Sequence, residues 1–319
     1  MRILILGGTS FIGRAIAEAA LTDGADVTLF GRGRTGTDLF PGTPRLTGDR
    51  DTGDYAALAD GGWDAVVDVS GYVPRHVGQA MDALGSRAGR YLFVSSQAVY
   101  PRTGLVPDAD EDTPRRPAER GTEEIHESTY GPLKVACEDD VLARYGERAT
   151  FVRPGIVAGP YDNQNAFTYW ARRAARTGPV ALPGRPEQPV QVADSRDLAR
   201  LVVRLLADDR PGAFNVNGPE APVTLGDLVR SCARAAGAEI ELVPVPPVDV
   251  HRHFPLVRPQ EQWGTFTMSS ARARAAGLTA TPLERTARDV LSWDRDLGEP
   301  PLRRGYTPEE EREALAGRI

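Results

Sequence analysis

The feature that most constrains this chain is a glycine-rich turn directly after its first apolar segment. Residues 3–6 are consecutively apolar, the string GGTSFIG occupies residues 7–13, and apolar residues recur with helical spacing over 11–21. A short buried strand, a glycine turn and a helix in this order predict the first unit of a parallel, doubly wound sheet. The amide groups that begin such a helix can bind a pyrophosphate. We therefore predict a dinucleotide site that includes Gly7, Thr9, Ser10, Phe11, Ile12 and Gly13. A plain strand–helix turn is the alternative.

The rest of the chain continues this alternation of short apolar runs and helical periodicity. With 319 residues and 41% hydrophobic residues, it can build one large α/β unit or two coupled domains. The pattern predicts an α/β fold with a Rossmann doubly wound parallel sheet of about seven strands. The strands are expected at 3–6, 27–30, 45–47, 65–69, 90–95, 150–152 and 213–216. Helices are expected at 11–21, 74–87, 130–145, 195–207, 224–236, 283–293 and 307–316.

A change in composition after residue 158 suggests a second, smaller lobe. We expect a dinucleotide-binding domain of residues 1–158 and 190–218, and a smaller C-terminal α/β substrate lobe of residues 159–189 and 219–319. The stretch 102–127 is charged and poor in apolar residues. Such a stretch is typical of an active-site flap or a surface loop.

Charge and cysteine content exclude several classes of function. The net charge of -6 gives no general attraction to nucleic acid or to an anionic membrane. The two cysteines, Cys137 and Cys232, stand in no CxxC pattern, so we expect neither a metal site nor a disulfide. No apolar run approaches 18 residues and the apolar N-terminus is too short for a signal peptide. We therefore expect a cytoplasmic protein that acts on a small molecule.

Two arginines follow the second predicted strand, in the string GRGRT. A fold that prefers NAD usually places Asp or Glu there, whereas the guanidinium groups of Arg32 and Arg34 suit a 2′-phosphate. We therefore expect NADP in preference to NAD, with NAD still possible. The alternative is that both arginines are solvated loop residues. Asp49 is expected to meet the adenine. The carboxyl ends of the strands are expected to add further cofactor contacts at Arg50, Ser70, Gly71, Tyr72 and Ser95.

A tyrosine and the only lysine of the chain stand four residues apart, on one face of a predicted helix. We expect the ammonium of Lys134 and the positive nicotinamide to lower the pKa of Tyr130 from about 10. Tyr130 could then exchange a proton with a carbonyl or alcohol oxygen, while Lys134 also reaches the nicotinamide ribose. A serine at the end of the fifth strand, Ser95 or Ser96, can orient that oxygen. The alternative is that Tyr130 packs on its helix and Lys134 is solvated.

Six strings occur in an order that resembles a known family: GGTSFIG, SSQAVY, YGPLK, RPGIVAGP, ADSRDLA and FNVNG. They resemble the extended short-chain dehydrogenase/reductases of the NAD-dependent epimerase/dehydratase superfamily. The pair GGTSFIG and GRGRT is similar to an atypical branch that includes reductases and plastid RNA-associated proteins. The resemblance implies catalytic roles for Tyr130, Lys134 and Ser96. It also implies that Pro154, Gly155 and Ile156 lie beside the nicotinamide, and that the protein is a homodimer through the helices near 74–87 and 130–145.

One departure from that resemblance bears on the substrate. Nucleotide-sugar members commonly carry an arginine shortly before the segment VADSRDLA, and the matching position here is Val190. We therefore expect an NADP(H)-dependent reductase or dehydrogenase of a carbonyl or secondary alcohol. One alternative is an NDP-sugar epimerase or dehydratase with tightly bound NAD. The other is a non-catalytic dinucleotide-sensing or RNA-associated protein.

Several polar and aromatic residues remain without a clear role. Tyr72, Gln97, Tyr100 and Trp170 are candidates to face the substrate, although packing is the commoner role for aromatic residues. His76 and His126 could line the site, although a lone histidine is more often a surface or structural residue. His251 and His253 lack a third ligand, which agrees with the expected absence of a metal. The use of arginine almost everywhere in place of lysine suggests a GC-rich bacterial genome and a biosynthetic role.

Overall fold

The computed structural model describes residues 1–219, 221–246 and 254–317. Its centre is a sheet of seven parallel strands in the order β3-β2-β1-β4-β5-β6-β11. These strands are β1 Arg2–Leu6, β2 Asp26–Gly31, β3 Arg45–Thr47, β4 Trp63–Asp68, β5 Ala88–Val94, β6 Ala149–Pro154 and β11 Gly212–Val216. The chain reverses its direction across the sheet between β1 and β4, and ligands of such sheets bind at that switch point.

Short strands pair outside this sheet. They are β7 Ile156–Ala158 with β10 Val192–Asp194, β8 Gly178–Leu182 with β13 Ile240–Pro244, and β9 Pro189–Val190 with β12 Val223–Thr224. The described helices are α1 Phe11–Thr22, α2 Pro74–Leu84, α3 Tyr130–Tyr145, α4 Ala166–Ala174, α5 Ser195–Ala207, α6 Leu225–Ala236, α7 Ala271–Ala275, α8 Leu283–Asp296 and α9 Pro308–Leu315. No helix among the described residues combines the length and the apolar character needed to cross a bilayer.

Two hydrophobic layers cover the two faces of the central sheet. Ile3 and Ile5 of β1 pack in the layer that includes α1 and α5, while Leu4 and Leu6 pack in the layer that includes α2 and α3. Alternate residues of a strand point to opposite faces, so a strand between two layers must be apolar throughout. This is why the unbroken run at residues 3–6 forms a central strand.

A third hydrophobic cluster lies apart from the sheet. It includes Phe167 and Trp170 of α4, Leu228 of α6 and Val290 of α8. These helices therefore share a core of their own beside the sheet. The exact division of the chain between the dinucleotide domain and the substrate lobe stays a prediction.

The expected fold class is confirmed, and all seven predicted strands lie in the central sheet. Element ends differ from the sequence pattern for local reasons. The helix predicted over 74–87 ends at Leu84 because Gly85 has a φ of 56°, which an L-residue in a continuing helix does not adopt. The helix predicted over 283–293 continues to Asp296. The sequence pattern did not predict the short strands β7, β8, β9, β10, β12 and β13, because a segment of two to five residues shows too little periodicity.

The stretch 102–127 forms neither helix nor strand, as expected, but arginines fasten it to α3. Arg115 contacts Glu138 at 3.0 Å and Asp139 at 2.8 Å, and Arg120 contacts Asp140 at 2.7 Å. Three successive carboxylates of one helix therefore hold this loop against the helix that carries the predicted acid/base residue.

Glu138 is also the partner of a buried arginine. Arg153 of β6 donates to its carboxylate at 2.9 and 2.7 Å, and Arg153 and Glu138 are only 5% and 1% exposed. Removal of one member of a buried ion pair leaves the other charge without compensation in a medium of low dielectric constant.

We expect Glu138→Ala to lower the free energy of unfolding by about 3–5 kcal/mol, because it strands the Arg153 guanidinium in the interior. Asp82→Ala is the matched control. It breaks the Arg144–Asp82 pair at 2.7 Å, which lies on the surface, and should cost less than about 1 kcal/mol. Urea denaturation followed by circular dichroism measures both. Equal losses for the two variants would contradict the assignment of the buried pair.

Candidate active site

A cleft with a volume of about 1320 Å³ follows the carboxyl ends of the central strands and continues to the smaller core. Most of the predicted site residues lie along it. They are Gly7, Thr9, Ser10, Phe11, Ile12, Arg32, Arg34, Asp49, Arg50, Ser70, Tyr72, Ser95, Ser96, Tyr130, Lys134, Pro154, Gly155 and Ile156. One cleft therefore brings together the predicted dinucleotide residues and the predicted proton-transfer residues.

The turn between β1 and α1 is packed too tightly for side chains. Gly7 has a φ of 95°, and a Cβ atom on Gly13 would lie 2.0 Å from the carbonyl oxygen of Gly7. Helix α1 begins at Phe11 with no acidic residue in its first turn, and the side chain of Ser10 makes no capping hydrogen bond. The first amide groups of the helix and the exposed Ser10 hydroxyl therefore remain available to an anionic ligand. These residues fit the pyrophosphate of a dinucleotide.

Arg32 and Arg34 both line the cleft, each near an aspartate. Arg32 Nη1 is 3.5 Å from Asp51 Oδ2, and Arg34 Nη2 is 3.7 Å from Asp49 Oδ2. More than half of each arginine side chain is exposed. Ion pairs this long and this exposed are weak, so both guanidinium groups can turn toward a phosphate.

The ammonium of Lys134 is buried rather than solvated. Its Nζ donates to the carbonyl oxygens of Gly71 at 2.7 Å and Val94 at 3.0 Å, and it lies 5.1 Å from the centre of the Tyr72 ring. Burial lowers the pKa of Lys134, since desolvation disfavours the charged form. Gly71 itself does not line the cleft, and its role is to accept this bond.

Tyr130 lies close to Ser96, but its pKa moves in the direction opposite to the one expected. Burial raises the pKa of the Tyr130 hydroxyl, and a hydrogen bond with the side chain of Ser96 opposes that rise. The hydrogen bonds of the Lys134 ammonium go to the backbone carbonyl oxygens of Gly71 and Val94. Tyr130 is therefore a protonated acid at neutral pH. Burial governs the pKa of Tyr130 here, and the lowering expected from Lys134 together with a positively charged nicotinamide stays a prediction.

Several predicted residues lie outside the cleft. Tyr100 is buried in the core, where its hydroxyl donates to Asn215 Oδ1 at 2.9 Å. Trp170 is also fully buried, with Nε1 donating to the carbonyl oxygen of Pro255 at 2.8 Å. Neither can face a substrate, so these two predictions are corrected. Gln97 Nε2 donates to the Thr265 carbonyl oxygen at 2.8 Å, so this side chain links two loops behind the cleft.

Further residues line the cleft, and apart from two histidines no signal in the sequence singled them out. They come from the loop 102–127, from α2 and from the smaller lobe, and include His76, Arg102, His126, Asp162, Arg258 and Arg304. His76 and His126 thus line the cleft, which is one of the two roles considered for them from the sequence. Burial raises the pKa of Asp162 to about 6. Val190 is buried in the smaller core and does not line the cleft. His251 and His253 lie outside the described residues.

We expect Gly13→Ala to abolish dinucleotide binding, because the new Cβ would force the Gly7 carbonyl to move. Gly78→Ala is the control. Gly78 lies in α2, a Cβ there meets nothing within 4 Å, and alanine should stabilise the helix by up to about 1 kcal/mol. Fluorescence titration with NADPH measures binding, and thermal unfolding measures stability. Unchanged NADPH affinity in Gly13→Ala would contradict the assignment of this turn.

Comparison with known proteins agrees with this geometry. Residues 3–217 match the sequence profile of the NAD dependent epimerase/dehydratase family. The chain is 30% identical over 254 residues to the chloroplast stem-loop binding protein of 41 kDa b from Arabidopsis thaliana, covering 74% of this chain and 63% of that protein. It is 27% identical over 185 residues to UDP-glucose 4-epimerase from Corynebacterium glutamicum, covering 51% of this chain and 53% of that protein. The chain thus spans less than two thirds of the length of either relative.

The fold is also shared with solved structures. The Bordetella bronchiseptica enzyme WbmH, solved in complex with NAD⁺, superposes with a TM-score of 0.68 at 20% identity, over 93% of this chain and 99% of WbmH. The matched profile spans the central sheet up to the end of β11, together with the glycine turn and the cleft residues from Gly7 to Ile156. This chain therefore belongs to the NAD dependent epimerase/dehydratase family, an oxidoreductase-type family of short-chain dehydrogenases/reductases.

Proposed function

We propose that this protein is an NADP(H)-dependent reductase that acts on a carbonyl group of a small molecule, or a dehydrogenase in the reverse direction. The observation that carries the proposal is that Tyr130 and Ser96 line the same cleft as the glycine turn after β1. A bound NADPH would supply the hydride. The residues of this chain would hold the substrate oxygen and provide the proton.

The chemistry follows from the states of these side chains. Ser96 orients the substrate oxygen toward the Tyr130 hydroxyl, which donates its proton as hydride reaches the carbonyl carbon. Reduced nicotinamide carries no positive charge, so during reduction it does not favour the phenolate, and the raised pKa keeps Tyr130 protonated. Lys134 links the ends of β4 and β5 and lies 5.1 Å from the centre of the Tyr72 ring, so these residues would hold the nicotinamide end of the cofactor.

Replacement of Tyr130 by Phe should lower kcat for carbonyl reduction by about 10²–10⁴, because the proton donor is lost. Reduction by the unaltered protein should stay constant through neutral pH and fall only at alkaline pH, where Tyr130 ionises. Oxidation of the alcohol should instead rise as pH increases, since it needs the phenolate. Steady-state kinetics in both directions measure these effects.

Tyr161→Phe is the matched control for that experiment. Tyr161 is 40% exposed and its ring lies 3.5 Å from the Arg14 guanidinium carbon, so loss of its hydroxyl keeps the ring contact and should leave kcat unchanged. Full activity in Tyr130→Phe would refute the proposed acid.

The preference for NADP rests on Arg32 and Arg34. We expect the double variant Arg32→Ala with Arg34→Ala to bind NADPH about tenfold more weakly, equivalent to about 1.4 kcal/mol. NADH affinity should change little, because NADH lacks the 2′-phosphate that the guanidinium groups would bind. Fluorescence titration with both nucleotides measures the ratio. An equal loss of affinity for NADPH and for NADH would contradict the NADP assignment.

An NDP-sugar epimerase or dehydratase is the second candidate. The family and the Corynebacterium relative favour it, whereas the buried Val190 in place of an arginine counts against a nucleotide-sugar diphosphate. Such an enzyme oxidises and re-reduces its cofactor in one cycle and keeps it bound. Denaturing extraction of the purified protein distinguishes the two, because retained NAD supports the epimerase cycle and its absence supports the reductase.

A non-catalytic RNA-associated protein is the third candidate, favoured by the name of the Arabidopsis relative. The net charge of -6 opposes it, because counterion release from a phosphate backbone needs a basic surface. Salt-dependent binding of a stem-loop RNA, with no carbonyl reduction, would favour this candidate.

We further propose a homodimer through α2 and α3, which pack side by side.

A further inference from the structure

A buried carboxyl group lines the part of the cleft that also contains Arg258 and Arg304, which we call the lobe end. This group belongs to Asp162, in the loop between β7 and α4, and Asp162 is only 2% exposed. Its Oδ1 accepts from the Gln164 amide at 2.8 Å, and among the described residues it forms no ion pair. A charge that is buried without a counter-ion costs free energy. A carboxyl group kept in this position therefore indicates a ligand rather than a contribution to stability.

The backbone around Asp162 has an uncommon conformation. Tyr161 and Asn165 have φ values of 71° and 60°, in the left-handed region that residues other than glycine rarely adopt. Asn165 Nδ2 donates to the carbonyl oxygen of Asp162 at 3.2 Å. Strained backbone of this kind clusters at functional sites, where the surrounding structure maintains it. The turn itself therefore fixes the position of the Asp162 carboxyl group.

Arginines lie near this carboxyl group without pairing with it. The charge of Arg304 acts both on Asp162 and on Arg258. The charge of Arg102 also acts on Arg258, but Arg102 is paired with Glu127. Among the described residues, neither Arg258 nor Arg304 has a carboxylate within ion-pair distance. Two unpaired guanidinium groups therefore share the lobe end with one unpaired carboxyl group.

The charge state of Asp162 changes close to neutral pH. Burial raises the pKa of Asp162 to about 6, against the charge of Arg304 and the amide hydrogen bonds of the turn. The carboxyl group is therefore mostly ionised at neutral pH, where it is an acceptor of hydrogen bonds.

The lobe end thus presents an acceptor beside donors. An ammonium group of a ligand would be repelled by Arg258 and Arg304, and an anionic group would be repelled by the ionised Asp162. A hydroxyl group can donate to the carboxylate and accept from a guanidinium group, so it uses both. We propose that Asp162 determines substrate specificity by accepting a hydrogen bond from a hydroxyl group of the substrate, with Arg304 donating to the same oxygen.

The substrate is then a hydroxylated carbonyl compound, whose hydroxyl group lies remote from the reacting carbon. A site built for a hydroxyl group discriminates against an analogue that lacks it, because the buried acceptor is left unpaired. The inference rests on the carbonyl reduction of the proposed function and names the carbonyl compounds that the cleft selects.

The test compares two sets of ketone probes, with oxidation of NADPH as the readout. One set consists of straight-chain methyl ketones that carry a terminal hydroxyl group, in a series of increasing length. The other set consists of the same ketones without the hydroxyl group. We expect Asp162→Asn to raise KM about tenfold for the hydroxylated set. KM for the plain set, and kcat for both sets, should stay unchanged, because the lost contact is remote from the reacting carbon.

Asp162→Asn should also fold normally. Its carboxamide keeps an acceptor for the Gln164 amide and removes a charge that burial disfavours. Thermal unfolding at neutral pH should therefore occur at or above the temperature of the unaltered protein. Asp208→Asn is the matched control, because it removes an exposed carboxylate 3.3 Å from Arg204, directly after α5. It should change KM for neither set.

The pH dependence is a readout that a purely structural role would not change. The acceptor is the ionised carboxylate, so KM for the hydroxylated ketones should rise as pH falls through about 6. KM for the plain ketones should not, and the titration of Tyr130 or His126, which also line the cleft, affects both sets alike. Removal of a nearby cation raises the pKa of a carboxyl group. Arg304→Met should therefore move this rise in KM to higher pH.

Other results overturn the inference in distinguishable ways. An equal rise in KM for both ketone sets in Asp162→Asn would make Asp162 a structural residue of the cleft. Unchanged KM for the hydroxylated set would exclude the proposed contact. A KM for that set that decreases as pH falls would make the carboxyl group a donor and not an acceptor. If the unaltered protein reduces no ketone of either set, the proposed function itself fails, and this is seen before any variant is made.

Discussion

The ammonium of Lys134 links the carboxyl ends of β4 and β5, which border the part of the cleft that contains Tyr130 and Ser96. Its bonds to the carbonyl oxygens of Gly71 and Val94 cross from the segment after β4 to the end of β5. Parallel strands leave such carbonyl groups at their carboxyl ends without a partner of their own, and a buried carbonyl needs a donor. Burial of the Lys134 ammonium costs desolvation free energy, and a residue without its donors would leave both carbonyl groups unpaired. Tyr72 follows Gly71 on one side of this link, and Ser95 and Ser96 follow Val94 on the other.

The sequence predicted the fold because its signals were local. An unbroken apolar run identifies a strand buried on both faces, and glycine identifies the turn that follows it. Tyr130 and Lys134 could be found for a similar reason, since helical geometry alone places residues four apart on one face. Both lie in the cleft. What the sequence could not supply was the direction of the Lys134 ammonium, which depends on carbonyl groups 40 and 63 residues away.

The residues that were misplaced show the same limit. From the sequence alone, Tyr100 and Trp170 could be substrate-facing aromatic residues. In the structure, Tyr100 bonds to the distant Asn215 and Trp170 to the carbonyl oxygen of Pro255, and both are buried. The buried ion pair between Arg50 and Asp68 could not be inferred either, because the two residues look like ordinary surface charges until β3 and β4 are placed. Residues such as Arg258 and Arg304 reach the cleft through the smaller lobe, whose loops have no periodicity to guide prediction.

The ion pairs between the loop 102–127 and α3 restrict the movement of one side of the cleft. Arg115 and Arg120 bind three successive carboxylates of the helix that begins at Tyr130. These ion pairs therefore hold Tyr130 and the loop beside it together, and movement of this side of the cleft would break several contacts at once. The opposite wall, which includes Leu256 and Arg258, has no such row of bridges to α3 among the described residues. Variation in the smaller lobe can accordingly reshape the cleft while the contacts between the loop 102–127 and α3 stay the same.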